Sequence, residues 1–86
     1  MTIQLHKNFE KQYKKLKTSE RQKVKDRLQL FIENPFNPSL NNHQLKGKYT
    51  DYRSISVSGD LRAIFKMFSE TEYIFVAVGS HSNLYS

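Results

Sequence analysis

The chain has 86 residues and carries fourteen Lys and Arg against eight Asp and Glu, for a formal charge of +6. It has no cysteine, which excludes disulfide staples, thiolate nucleophiles and thiolate metal ligands. No apolar run approaches the ~20 residues of a membrane span, and the opening MTIQLHKNFEKQ lacks the apolar core of a secretory leader, so one cytoplasmic domain over residues 1–86 is expected, with no membrane partner.

The basic excess is uneven. Residues 1–50 hold eleven Lys and Arg and four Asp and Glu, whereas residues 51–86 hold three and four. A basic surface favours polyanions and raises encounter rates with them, so nucleic acid or a ribonucleoprotein is the natural partner, with an acidic protein as the other.

Thr2–Leu5 alternates, with Ile3 and Leu5 set against Thr2 and Gln4, and reads as a strand. His6 follows it and reads as solvent-facing. Asn8 is expected to cap a helix on which Phe9, Tyr13 and Leu16 recur at i, i+4 and i+7. Lys11, Lys14, Lys15 and Lys17 cover the remaining surface, either as a solvated face or as a rail for phosphates. Thr18-Ser19 interrupts. Ser19 and Gln22 match the spacing of a capping box, and a second helix follows with Val24, Leu28, Phe31 and Ile32 on one face and Leu30 off it. Asn34-Pro35 ends that helix, because the residue before proline is biased away from α. Two antiparallel helices with one apolar face each form a hairpin that packs on a sheet or on itself.

Residues 34–50, NPFNPSLNNHQLKGKYT, are rich in proline and asparagine and read as a loop long enough to be functional. The loop leads into DYRSISVSGDLRAIFKMF, a β-hairpin by its period-2 alternation across a glycine-containing turn. A three-residue loop, Ser58-Gly59-Asp60, pairs Val57 with Leu61 and Ile55 with Ala63. Ile55, Val57, Leu61, Ala63 and Phe65 then share a core face. Ser54, Ser56, Arg62 and Lys66 share the opposite face, which is expected to be polar, basic and open. A one-residue slip would mix the two sets. Ser69–Glu72 turns the chain into a last strand, Tyr73–Val78, closed by Gly79 and a tail of residues 80–86. Strands segregated from helices predict an α+β fold: a small, largely antiparallel sheet of about four strands against an N-terminal helical hairpin.

Chemistry concentrates beside the hairpin. His43 precedes it and His81 follows it, both at element ends. Histidine titrates near neutrality, so two of them at one phosphodiester supply a general base for the ribose 2′-hydroxyl and a general acid for the leaving 5′-oxygen, each contributing about 10²–10⁴-fold. Lys46, Arg53, Arg62 and Lys66 are the candidates for binding phosphate and its developing charge. Two surface histidines with no catalytic role are the plainer alternative. Tyr85 lies four residues past His81, where its ring either stacks on a base or packs back on the core. Ser54 and Ser56 read as a wet β-face rather than as nucleophiles. No metal ligand set and no glycine-rich phosphate loop is present.

The ordered segments HQLKG, YRSISVSGDLRAIFK and VAVGSHSNLY resemble the RelE superfamily of type II toxins, and most closely its YafQ-like branch. That branch carries H-P-L-x-G, a Y-R-D-x-H strand, an aspartate in the next turn, an I-Y-K strand and a terminal G-T-H-x-x-L-F. The resemblance covers residues 43–86. Over residues 1–42 it rests on element order and the style of the first helix. It implies a RelE/ParE-like toxin that enters the ribosomal A site, cuts mRNA without metal or organic cofactor, and is silenced by a cognate antitoxin. His43, Asp60 and His81 match the family's catalytic positions, and Tyr85 stands where the family has its terminal phenylalanine. Ser54 and Ser56 depart from the pattern, standing where the branch has aspartate and histidine. The alternatives implied are a non-enzymatic ParE-like gyrase poison and a degenerate toxin that retains only antitoxin binding.

Overall fold

Strand β3 (Arg53–Ser58) turns at Gly59-Asp60 into β4 (Leu61–Met67), which lies at the centre of the sheet. The computed structural model describes residues 1–85. Its remaining elements are β1 (Thr2–Leu5), α1 (Lys7–Lys14), α2 (Thr18–Glu33), β2 (His43–Gln44), β5 (Glu72–Ser80) and α3 (His81–Tyr85). Among the described residues the sheet has five strands in the order β1-β5-β4-β3-β2. β1 runs parallel to β5 and the other pairings are antiparallel. The α+β class holds. The strand beyond the expected four is β2, which lies within the stretch read as loop.

The hairpin register holds at its centre and shifts at its end. Ile55 pairs with Ala63 as expected, but Leu61 pairs with Ser58, with an irregularity between Ser56 and Ser58. Val57 is therefore the extra residue of a bulge, and the turn is two residues long. Gly59 takes φ +48°, a left-handed value that glycine adopts without strain. The bulge leaves Val57 buried on the core side. From α2, Arg27 Nε donates to its carbonyl at 3.2 Å, fastening the helix to the irregular strand end.

Both helices start two residues earlier than read. His6, not Asn8, caps α1: its Nδ1 accepts from the Asn8 N–H at 3.0 Å. Lys17 precedes α2, and its N–H donates to Glu20 Oε1 at 3.0 Å, so Glu20 rather than Gln22 fills the reciprocal position. Ile32 is 45 % exposed, whereas Leu30 packs against the core. The helix buries Val24 and Phe31, and its contact with the hairpin lies on the Arg27 and Leu30 side of that stripe. β5 runs past Gly79, and most of the expected tail folds as α3; Ser86 lies outside the described residues.

The core between helices and sheet is aromatic. Phe31 meets Phe65, Phe75 and Tyr73 edge-on at 4.9, 5.2 and 5.3 Å between centroids. Each such pair adds about 0.5–1.5 kcal/mol beyond area burial. Helix α1 also completes the sheet. β1 ends at Leu5, opposite Phe75. Beyond that point Asn8 Nδ2 donates to the Val76 carbonyl at 2.9 Å, and Gln12 Oε1 accepts from the Val78 N–H at 2.8 Å. Two helix side chains thus satisfy main-chain groups of β5 that no strand reaches.

Candidate functional site

The face of the sheet opposite α1 and α2 carries Ser54, Ser56, Arg62, Ile64 and Lys66, and it is not the open face expected. A second apolar cluster of Leu45, Ile64 and Leu84, flanked by Tyr49, Tyr52 and Tyr85, covers part of it. α3 folds back over β5, with Leu84 3.5 Å from where a Cβ on Gly79 would stand. Ser54, paired with Ile64, is fully buried, and its Oγ has no hydrogen-bond partner. The expectation of a wet serine fails there, because the loop and α3 supply a roof that strand alternation alone does not reveal.

Under the edge of that roof an open cavity of about 220 Å³ is lined by His43, Leu45, Lys46, Ser54, Arg62, His81 and Tyr85. Four of these side chains are cationic or can become so, and none is acidic. His43 comes from β2, directly across the ladder from Ser54. Its Nδ1 lies 2.8 Å from the Asn41 carbonyl oxygen. A carbonyl only accepts, so Nδ1 carries a proton, and the lone pair of the ring in its neutral form lies at Nε2. Asn41 holds φ +48° at the end of the Pro38–Leu40 turn, a left-handed value that asparagine tolerates better than most residues.

His81 opens α3. Its N–H donates to the Asp60 carbonyl at 2.8 Å, and its ring lies 4.6 Å from that of Tyr85. Arg62 stands opposite Ser56, and its Nη1 donates to the Gly59 carbonyl at 2.7 Å, which orients the guanidinium at the turn. Lys46 is exposed at the start of the Gly47–Tyr49 turn.

Three of the candidate residues lie elsewhere. Asp60 lines a separate depression beside Gln12, Lys15 and Glu20, and meets His81 only through its main chain. Arg53 shares the side of Ile55. There its Nε donates to Asn42 Oδ1 at 2.7 Å and its guanidinium sits 5.6 Å from the Phe36 ring, so it anchors the long loop. Lys66 stays on the cavity's face but further along, 5.6 Å from the centroid of Tyr52. Strand parity separates Arg53 from Arg62 and would have distinguished them in advance. Among the described residues no group of three His, Cys, Asp or Glu is placed to hold a metal ion, and no helix is long and apolar enough to cross a membrane.

A family model described as the bacterial toxin of type II toxin-antitoxin systems, YafQ, matches residues 1–86. The fold is similar to that of YafQ from E. coli strain BL21(DE3), with TM-score 0.83, 24 % identity, and 99 % of this chain and 98 % of that one covered. It is similar also to the toxin in the E. coli DinJ-YafQ toxin-antitoxin complex, with TM-score 0.80, 24 % identity, and 99 % and 97 % covered. A metal-bound toxin from Helicobacter pylori is 30 % identical, with TM-score 0.70 and 99 % of each chain covered. No curated protein sequence matches the chain.

Proposed function

The chain belongs to the YafQ family of bacterial type II toxins, and from that premise we propose that it is a cytoplasmic, ribosome-dependent mRNA endonuclease held inactive by a cognate antitoxin. One observation carries the chemical part of the reading: His43, His81, Lys46 and Arg62 converge on one cavity whose lining, among the described residues, includes no carboxylate. A phosphodiester fits that environment electrostatically, and the two imidazoles supply the proton transfers its cleavage needs.

His43 is the base. Its Nδ1–H is engaged by Asn41, so Nε2 takes the proton of the ribose 2′-hydroxyl. The 2′-oxygen attacks phosphorus, and the bond from phosphorus to the 5′-oxygen breaks. His81, as imidazolium, gives its proton to that leaving oxygen. The products are a 2′,3′-cyclic phosphate and a 5′-hydroxyl. Lys46 and Arg62 stabilise the charge that accumulates on the phosphoryl oxygens. Tyr85 keeps the His81 ring in place and offers its own face to a base. Asp60 acts as a positioning residue through the carbonyl that holds the start of α3. The lysines of α1 meet ribosomal RNA. This chemistry calls on no metal and no organic cofactor.

A second reading rests on Ser54. A fully buried serine stands where the family pattern has an aspartate, which favours a toxin that still binds antitoxin but no longer cuts. One experiment decides between them. Purified protein is added to a bacterial translation extract and mRNA 5′ ends are mapped by primer extension, beside His43→Ala and His81→Ala. New ends within codons at the A site, lost in both variants, are expected. Ends that persist in both variants overturn the site assignment, and no new ends from the unsubstituted protein favour the second reading over cleavage.

A further inference from the structure

Four rings form a continuous series that starts inside the cavity and leaves it. His81 and Tyr85 are 4.6 Å apart, Tyr85 and Tyr49 5.9 Å, and Tyr49 and Tyr52 6.0 Å between centroids. Two lysines accompany the series: Lys48 Nζ lies 5.3 Å from the centre of Tyr49, and Lys66 Nζ lies 5.6 Å from that of Tyr52. All three tyrosines are partly exposed. Tyr49 is fixed by its hydroxyl, which donates to the Leu84 carbonyl at 3.2 Å.

We propose that the ridge Tyr85–Tyr49–Tyr52, with Lys48 and Lys66, is a track for single-stranded RNA that holds the nucleotides on one side of the cut. The inference rests on the reading of the cavity as an RNA-cleaving site. The occupant follows from two features of the ridge. It is continuous with the phosphate-handling cavity through the His81–Tyr85 contact, and its charges are cationic. Partly exposed rings about 6 Å apart, set edge to face, with an ammonium group over two of them, suit a strand whose bases lie against the rings and whose phosphates lie alongside, without sequence readout. An apolar peptide would gain nothing from the two lysines. A duplex would present no base faces to the rings.

The test uses the whole protein and a fluorescent 2′-O-methyl RNA decamer, which lacks the nucleophilic hydroxyl and so cannot be cut. Binding is followed by anisotropy at several salt concentrations. Tyr52→Leu is expected to weaken binding about tenfold, the range of one lost base–aromatic stack. Lys48→Ala and Lys66→Ala, exposed or half-exposed changes that leave the core intact, are each expected to lower the salt slope by about 0.7. Lys25→Ala removes the same charge from α2 and is expected to leave the slope unaltered. Absence of binding by the unsubstituted protein, or equal binding and slopes across all variants, overturns the track. Equal loss from Lys25→Ala and Lys66→Ala also overturns it, by reducing the effect to net charge. Because the decamer cannot be cut, a binding result stands whether or not the extract experiment finds cleavage.

Discussion

His43 Nδ1 lies 2.8 Å from the main-chain oxygen of Asn41, a residue held at φ +48°. The contact engages Nδ1 and leaves Nε2 as the ring nitrogen that can accept a proton, in the role proposed for His43. Asn41→Gly keeps the left-handed backbone accessible and is expected to retain most of the cutting rate. Asn41→Val disfavours that backbone, releases the ring, and is expected to lower the rate towards that of His43→Ala, a loss of about 10²–10⁴-fold. Single-turnover cutting of mRNA on programmed ribosomes reads both. Equal rates for the glycine and valine variants would remove Asn41 from the account.

Ser54 Oγ is buried without a partner. An unsatisfied buried hydroxyl costs about 1–3 kcal/mol, so Ser54→Ala is expected to raise stability, by about 1 kcal/mol at the low end of that range, in urea unfolding. Ser54→Asp restores the residue type of the family pattern but inserts a carboxylate into a fully buried position. It is expected to destabilise the fold unless Arg62 or Lys46 moves to pair with it. A less stable Ser54→Ala protein would show that the hydroxyl has a partner in solution.

The His81–Tyr85 ring contact has a separable consequence. Tyr85→Phe keeps the ring against His81 and Tyr49 and is expected to cut mRNA at close to the unsubstituted rate. Tyr85→Ala removes it and is expected to cost about tenfold, the scale of one stacking interaction. The same rate assay checks both, and a loss in Tyr85→Phe as large as that in Tyr85→Ala would shift the role from the ring to the hydroxyl.

Phe31 is the centre of the helix–sheet core, fully buried and edge-on to three aromatic rings. Phe31→Ala is expected to cost about 3–5 kcal/mol, a large share of the ~5–15 kcal/mol available to a typical domain. Gln12→Ala is expected to cost about 1–3 kcal/mol, because it leaves the Val78 N–H unpaired at a part-buried position. Urea midpoints at constant slope measure both.

How far the sequence could be read follows the range of each interaction. The hairpin, both helices and β1 were legible because alternation, heptad-like spacing and proline stops are local. The Ile55–Ala63 pairing was legible for the same reason, whereas the bulge at Val57, whose carbonyl Arg27 reaches from α2, leaves no mark in the alternation. His43, Lys46, Arg62, His81 and Tyr85 stand out in the sequence by residue type and by their place at element ends or on the polar strand face, and they line one cavity. Arg53 shares their charge but not their face, because strand parity puts it on the side of Ile55. The burial of Ser54 was beyond reach. It requires Leu45 and Leu84, distant in sequence, to meet over the sheet.

The most direct test of the central claim is the chemistry of the cut ends. mRNA recovered from a translation extract treated with the protein is captured by a ligase that joins only 2′,3′-cyclic phosphate ends, beside a capture specific for 3′-hydroxyl ends. Attack by a 2′-oxygen activated by His43 yields cyclic phosphate ends at A-site codons, and these vanish in His43→Ala. Cut fragments bearing 3′-hydroxyl and 5′-phosphate ends would mean that water, not the ribose, is the nucleophile, and would contradict the histidine-pair account.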